Sequence, residues 1–552
     1  MSGAIDGLRQ IAEIAHPRTL KRLREAGAMD PKAPLAIARA LPWLIGRGPS
    51  LGIVSKMHAV VLRDKPALHD RNGTLTWKEL DERSNRAAHM LSGLGLSGGD
   101  RVAMVLRNGR EMVEVILGAQ KLGIVACPLN TWAKTRELQA ILDQSDPKVL
   151  VYDARHKEEV DKVAPPSLTR IVVGDGEGDP LAYEEVLAGQ PSSPPAPFTR
   201  NGGVAKVVIH TSGTTGTPKG ASRDASAAGL GALADLLGRV PYRRDDVILC
   251  PAPLFHSFGL ATMTFATALG ATVVLPDAFD AEGSLRLIEQ HRATAASFVP
   301  VMIRRIVSLD DKVKERYDLS SLRIVMASGS VLSDDLRRAA TRLFGPVLYD
   351  LYGSTEIGWA AIATPEDMTA KPKTVGRPVE GIEIAVFSKQ GERLPPNETG
   401  ELYVRSNILF EGYTSGESKD EREGFMAVGD LGRFDDDGYL FVESRSDDMV
   451  VVGGENVYPI EVEQVVESVE GVNEVTVLGV QDEEFGEVLA AFVVGDADVE
   501  TIRKTCEAEL ASYKVPRRIE VRDELPRTAT GKVLKTTLIE QLSGAEPLED
   551  AP

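Results

Sequence analysis

The chain has 552 residues, 43% hydrophobic and 26% charged, the balance of a globular protein with room for about three or four units of ordinary domain size. Its net charge of −18 argues against nucleic acid as a partner, because that binding rests on basic patches that neutralise phosphate; a local cradle could still hold a nucleotide. Cys127, Cys250 and Cys506 stand far apart with no C-x-x-C spacing, and the eight histidines contain no H-E-x-x-H, so neither zinc nor a disulfide framework is indicated and a reducing cytoplasm is expected.

Residues 1–55 read as an N-terminal arm that opens without the basic and apolar regions of a signal peptide. Arg18, Lys21, Arg22 and Arg24 cluster in it, and residues 35–45 are mostly apolar around Trp43. Two readings stand: a helical arm packed on the main domain, which is preferred, and a segment lying on a membrane surface. Further on, apolar residues recur at helical spacing over 80–94. Residues 101–105 read as a strand, 112–122 as a helix and 124–129 as a strand, followed by strands at 148–152 and 170–173. Helix-strand alternation with short turns predicts parallel sheets with helices on both faces. A Pro- and Gly-rich stretch over 187–203 reads as a surface linker, and the alternation resumes from 204 to 351.

Residues 247–276 carry no Lys, Arg, Asp or Glu, which is long enough for a membrane span. Pro251, Pro253, His256, Gly259, Gly270 and Pro276 interrupt them, so they read instead as a turn, a buried helix near 258–269 and a strand at 271–275. Between 375 and 442, short strands and Gly/Pro turns predict a small β-barrel-like unit. In 448–552, Val462, Val465, Val466 and Val469 form one face of a helix beginning at Pro459, with strands at 475–480 and 488–494. The predicted fold class is α/β. A large N-terminal domain (56–443) would hold two parallel-sheet αβ subdomains and the small β-barrel, joined through a hinge at 444–447 to a small mobile α+β C-terminal domain.

Residues 211–220 read Thr-Ser-Gly-Thr-Thr-Gly-Thr-Pro-Lys-Gly, just after the apolar run Val207-Val208-Ile209. A strand that empties into such a turn presents unhindered backbone N–H groups to an anion. The hydroxyls add neutral donors and Lys219 a point charge. This is a polyphosphate cradle, but not the common P-loop, because Lys219 lies between Pro218 and Gly220. Tyr352-Gly353-Ser354-Thr355-Glu356 follows another apolar stretch. Then come Gly429-Asp430, Arg445-Ser446-Asp447-Asp448, Gly453-Gly454-Glu455-Asn456 and Pro526-Arg527-Thr528-Ala529-Thr530-Gly531-Lys532. Taken in this order, the segments resemble the adenylate-forming superfamily of acyl-CoA synthetases, luciferases and peptide-synthetase adenylation domains, over residues 60–540. Segments 410–414 and 453–461 are most similar to bacterial, especially actinobacterial, fatty-acyl-CoA synthetases.

The resemblance implies ATP, Mg²⁺ and coenzyme A, with a carboxylic acid as the small-molecule partner. A carboxylate resists attack because it is anionic and its oxygen leaves poorly; coupling it to AMP supplies a good leaving group. Thr211, Ser212, Gly213, Thr214, Thr215, Gly216 and Lys219 would hold the β- and γ-phosphates. Thr355 would donate to the α-phosphate, and Glu356 with Thr211 would bind Mg²⁺ as hard oxygen donors. Asp430 would accept from the ribose hydroxyls and Arg445 would make a second ribose contact. Here the family's usual Thr-Gly-Asp is Val428-Gly429-Asp430, and the usual Gly before the arginine is Ser444. Tyr352 would stack on adenine beside Ser328, Gly329 and Ser330, with Asp350 and Gly353 in the same nucleotide set.

The resemblance further makes Lys532 the bridge between carboxylate and α-phosphate, and Asp447 the hinge. Gly453 and Gly454 would line the pantetheine tunnel, and His256 would gate the meeting of the carboxylate and thiol paths. Segments 258–263, 298–302 and 357–359, mostly apolar or small, would form the acyl pocket, which suits a medium- or long-chain fatty acid. Two other readings stand beside this one: an acyl-AMP ligase that loads a separate carrier protein, and a catalytically inactive nucleotide-binding protein. A homodimer and a peripheral membrane contact through the arm stay open.

Overall fold

The computed structural model describes residues 17–28, 30–47, 50–133, 135–175, 181–196, 206–211, 219–224, 228–406, 419–445, 450–452, 455–482, 486–510, 512–527 and 532–542. A nine-stranded sheet organises the large unit. Its centre is parallel and runs Leu348–Ser354, Ile324–Ser328, Ala295–Phe298, Val247–Leu249, Thr272–Val274 and Pro66–Asp70. Each flank turns antiparallel, through Gly358–Ala363 and Arg377–Pro378 on one side and Gly73–Thr76 on the other. A second, six-stranded sheet runs Thr169–Val173, Val149–Asp153, Arg101–Val105, Val125–Pro128, Lys206–Thr211 and Lys219–Asp224, parallel except for its last pair.

Side-chain alternation along the strands decides the layering. Val102 and Met104 join one core cluster while Ala103 and Val105 join another, and Ile324 and Met326 part in the same way from Val325 and Ala327. The largest cluster therefore lies between the two sheets, where it takes in helices Trp77–Gly93, Arg110–Leu122 and Ser257–Leu269. Outer helices cover the far faces, giving a five-layer α/β body. Helix Trp77–Gly93 starts at a reciprocal cap: Glu79 N–H donates to Thr76 Oγ1 at 3.2 Å, and Thr76 N–H to Glu79 Oε2 at 2.8 Å.

Residues 247–276 form the expected turn, helix and strand, and no helix among the described residues is long and apolar enough to cross a membrane. A five-stranded antiparallel sheet follows, in which Phe425–Phe434 pairs with Gly400–Arg405, Glu421–Arg422 and Leu440–Arg445. The small C-terminal unit holds a second five-stranded sheet built on the long hairpin Val472–Asp482 and Gly486–Gly495, with helix Pro459–Glu467 packed on it. The arm helices Pro17–Glu25 and Ala33–Arg47 sit against the large unit. Arg22 pairs with Glu380 and Asp235, Arg244 with Asp30, and Trp43 Nε1 donates to the Pro195 carbonyl at 3.0 Å.

Candidate active site

Open parallel sheets expose their strand carboxyl ends to ligands. The segments 328–330 and 352–356 lie at that edge of the nine-stranded sheet. Ser328 ends one strand, and its hydroxyl donates to the Leu351 carbonyl at 2.9 Å. Gly329 follows with φ of 97°, a conformation that favours glycine, and leaves Gly329 and Ser330 exposed. On the neighbouring strand Leu348–Ser354, Gly353 meets the turning hairpin so closely that a Cβ there would lie 2.0 Å from the Gly358 carbonyl oxygen. Its need for glycine is thus set by the fold of this hairpin.

Tyr352 reaches across to the antiparallel sheet, where its hydroxyl donates to Asp430 Oδ2 at 2.6 Å. Asp430 and Arg445 are directly paired across strands, so the two expected ribose contacts share one rung. Ser354 folds back beside Glu356: its Oγ donates to Glu356 Oε2 at 2.7 Å and accepts from the Glu356 N–H at 3.3 Å. Thr355 donates to Ser257 Oγ at 3.2 Å, which ties this loop to the first turn of helix Ser257–Leu269.

His256 caps that helix. Its Nε2 is sealed from solvent with no hydrogen-bond partner among the described residues. Burial, and then the positive charge of Lys532, pull its pKa from 6.5 down to about 3, so the imidazole is neutral over any working pH. The same interaction shows that the charge of Lys532, on the small unit, is felt at His256 on the large one. Between the units, Arg304 bonds to Glu467 at 2.8 Å and to the Asn473 carbonyl at 2.9 Å.

Residues 56–414 match the AMP-binding enzyme family, and residues 461–532 match the C-terminal domain of the same enzymes. The chain belongs to this family of adenylate-forming acid–thiol ligases. The long-chain-fatty-acid–CoA ligase FadD13 of Mycobacterium tuberculosis is 32% identical over 483 residues, 86% of this chain and 94% of the relative. The fatty acid–[acyl-carrier-protein] ligase ScoC of Streptomyces coeruleorubidus is 31% identical, over 89% of this chain and 96% of the relative. Among solved structures, that of the anthranilate CoA ligase AuaEII in complex with anthranoyl-AMP superposes with a TM-score of 0.82 at 27% identity, covering 90% of this chain and 98% of that one.

Asp350, named in the expected nucleotide set, has a buried carboxylate that accepts from Arg337 Nη2 at 2.9 Å. A carboxylate removed from water needs such a partner. In the expected acyl segment 298–302, Phe298 and Met302 point into the outer core, where Phe298 stacks with Phe344 at 6.4 Å. Strand alternation turns Phe298 to that side, and Met302 lies on the buried face of helix Pro300–Val307.

Thr211, Lys219 and Arg445 are described by their backbone, with Thr211 and Lys219 paired across the strands that flank the phosphate loop. Ser212, Gly213, Thr214, Thr215, Gly216, Asp447, Gly453 and Gly454 lie outside the described residues. Among the described residues no group of three His, Cys, Asp or Glu side chains could hold a metal by itself. A lone oriented Glu356 suits Mg²⁺ that arrives on a polyphosphate, since that ion usually takes one or two carboxylates plus phosphate oxygens.

Sequence reasoning missed Asn108. It is buried, its Nδ2 donates to the Ala252 carbonyl at 3.0 Å, and its Oδ1 accepts from Leu254 N–H at 2.9 Å. Asn108 follows a strand of the six-stranded sheet, so it fastens the His256 loop to the other half of the molecule. Nothing in the local sequence marks it. Ser354 stands inside the Tyr352–Glu356 motif and Ser257 directly follows His256, and the sequence reading gives neither a role.

Proposed function

We propose that the chain joins a carboxylic acid to ATP, releasing pyrophosphate, and passes the acyl group from the acyl-adenylate to the thiol of coenzyme A, releasing AMP. The observation that carries this reading is that separate segments converge here: Tyr352 bonds to Asp430, Thr355 bonds to Ser257 next to His256, and the charge of Lys532 from the small unit is felt at His256. Asp430 accepts from the ribose hydroxyls and Tyr352 covers the adenine. Thr355 donates to the α-phosphate. Lys532 sits between the incoming carboxylate and that phosphate, where two anions meet and a preorganised cation counts most. Mg²⁺, held by Glu356 and Thr211, would offset charge on the phosphates. Neutral His256 adds no charge where the acid and the thiol converge.

The small unit turns about 444–447, with Asp447 at the pivot, so that Lys532 serves adenylation and then gives way to Gly453 and Gly454, beside which pantetheine enters. The acid is a medium- or long-chain fatty acid. Support comes from the half-buried Phe258 and Trp359 near the site, from the uncharged stretch 247–276, and from relatives named as fatty-acid ligases. Ligases for 2-succinylbenzoate and indoleacetate share the same family, so chain length needs a direct test. Pyrophosphate release should be greatest with octanoate to stearate across a panel that includes acetate, benzoate and indoleacetate. A kcat/KM for an aryl acid or acetate far above every fatty acid overturns that part. Thioester formation with free coenzyme A, set against a carrier protein, decides the acceptor.

A further inference from the structure

Helix Ala33–Arg47 is built inside out. Its buried positions are small, Ala36 at 1% and Ala40 at 0% exposure. Three of its large aliphatic residues face away from the protein, with Leu35 50%, Ile37 45% and Leu41 47% exposed. Pro34, Ala38 and Pro42 are exposed as well. At 3.6 residues per turn these six positions lie on one side, so the outer surface is a continuous apolar stripe. A helix apolar on both faces is normally covered on both. With Leu20, the arm holds four of the nine large hydrophobic residues exposed among the described residues.

The arm that carries this stripe has a charge of the opposite sign to the molecule. Residues 17–47 carry seven Lys or Arg against Glu25 and Asp30, a balance of +5 in a chain of −18. Lys21 is 75% and Arg18 73% exposed, and Arg24, Lys32 and Arg39 also face solvent. Glu25 lies 3.8 Å from Lys21, Glu380 takes Arg18 and Arg22, and Asp30 takes Arg244, which leaves the outer side predominantly basic. We propose that the arm docks on an anionic lipid surface, inserting Leu35, Ile37 and Leu41 while the neighbouring cations meet lipid phosphates. Apolar insertion beside cations is the pattern of interfacial helices. Two copies pairing through this face would bring like charges together, which disfavours a dimer as the cover.

The test is co-sedimentation of the full chain with phosphatidylcholine vesicles, with and without phosphatidylglycerol. Binding is expected with the anionic vesicles and should weaken severalfold as salt rises from about 0.05 M to about 0.5 M, because the screening length shortens. Leu35→Asn, Ile37→Asn and Leu41→Asn combined should lower partitioning by about tenfold or more, since the apolar contribution is lost. The thermal midpoint and pyrophosphate release with a soluble acid should be kept. Lys21→Glu with Arg24→Glu, which leaves the stripe intact, should remove the preference for phosphatidylglycerol. No binding at low salt overturns the proposal, as does equal binding by the triple variant or an unchanged lipid preference in the charge variant. A dimer on size exclusion that the triple variant converts to monomer, with no vesicle binding, assigns the face to a second copy and also overturns it.

Discussion

The two units that build the site hold their residues in opposite ways. In the large unit Tyr352, Thr355 and Asp430 are each fixed by a partner from another segment, and Asn108 pins the loop that carries His256 across both sheets. In the small unit Lys532, the proposed bridge between carboxylate and α-phosphate, is exposed. Its charge is felt at His256 through the seating of the whole unit, at whose edge Arg304 bonds to Glu467 and the Asn473 carbonyl. Under the proposed function the difference suits two kinds of task. Nucleotide contacts would be needed throughout and would gain from rigidity, whereas a charge needed in one half-reaction would gain from arriving as part of a movable body.

The sharpest way to break this comparison is at Lys532. Losing one preorganised contact to developing charge costs roughly 3–4 kcal/mol, so Lys532→Ala should slow pyrophosphate release from acid plus ATP by about 10²–10³-fold. The same variant should still convert supplied acyl-AMP and coenzyme A to thioester. Parallel loss in both assays would mean that Lys532 only stabilises its unit.

The rigidity of the large unit can be probed through His58. This histidine is buried against the Trp77 ring at 4.7 Å, and burial followed by the Arg244 charge lowers its pKa to about 4. The folded form resists a proton that the unfolded chain takes up below pH 6.5, so stability falls as pH drops from 6.5 to about 4 and levels off below. The stability advantage of wild type over His58→Gln should shrink by about 3 kcal/mol between pH 7 and pH 4 in urea unfolding, at about 1.4 kcal/mol per pH unit. A constant difference would mean that His58 titrates normally.

A smaller effect is expected at the joint between the two sheets of the large unit. Tyr352→Phe keeps the ring and removes the hydroxyl that holds Asp430. A hydrogen bond to a charged group is worth about 1.5–3 kcal/mol at most, so the KM for ATP should rise by roughly tenfold while the fold is kept. An unchanged KM would separate Tyr352 from ribose binding. The mildest change is Arg304→Gln. Partly exposed ion pairs contribute about 0–1 kcal/mol, so adenylation should slow by no more than about fivefold. Thioester formation from supplied acyl-AMP should stay level or rise. A slowing of that second step instead would show that Arg304 does not favour the seating with Lys532 inside.

Local signals carried much of the architecture. Alternation located the strand Arg101–Val105 at its observed bounds, and Pro459 marked the start of helix Pro459–Glu467. The arm packs on the large unit, as preferred on sequence grounds, through Arg22 and Trp43. What sequence order could not reveal was partnership. Asp350 belonged to a motif-bearing strand, yet its side chain answers to Arg337. Phe298 and Met302 lay in an apolar segment that suited a pocket, yet strand alternation turned Phe298, and the buried face of helix Pro300–Val307 turned Met302, to the far core.

The sequence by itself determined the groups on offer: a Gly/Thr loop ending in Lys219, the Asp430 carboxylate, and a lysine near the C-terminus, each legible because backbone conformation and charge depend on neighbouring residues. Only the tertiary structure decided which groups come together. Tyr352 reaches Asp430, Thr355 reaches Ser257, and the charge of Lys532 reaches His256, because those relations follow from how the sheets stack and how one unit seats on the other. The inverted arm helix makes the same point. Its composition announced an apolar segment, but which side faces outward was settled by the small alanines, which allow close packing against the body and leave Leu35, Ile37 and Leu41 outside.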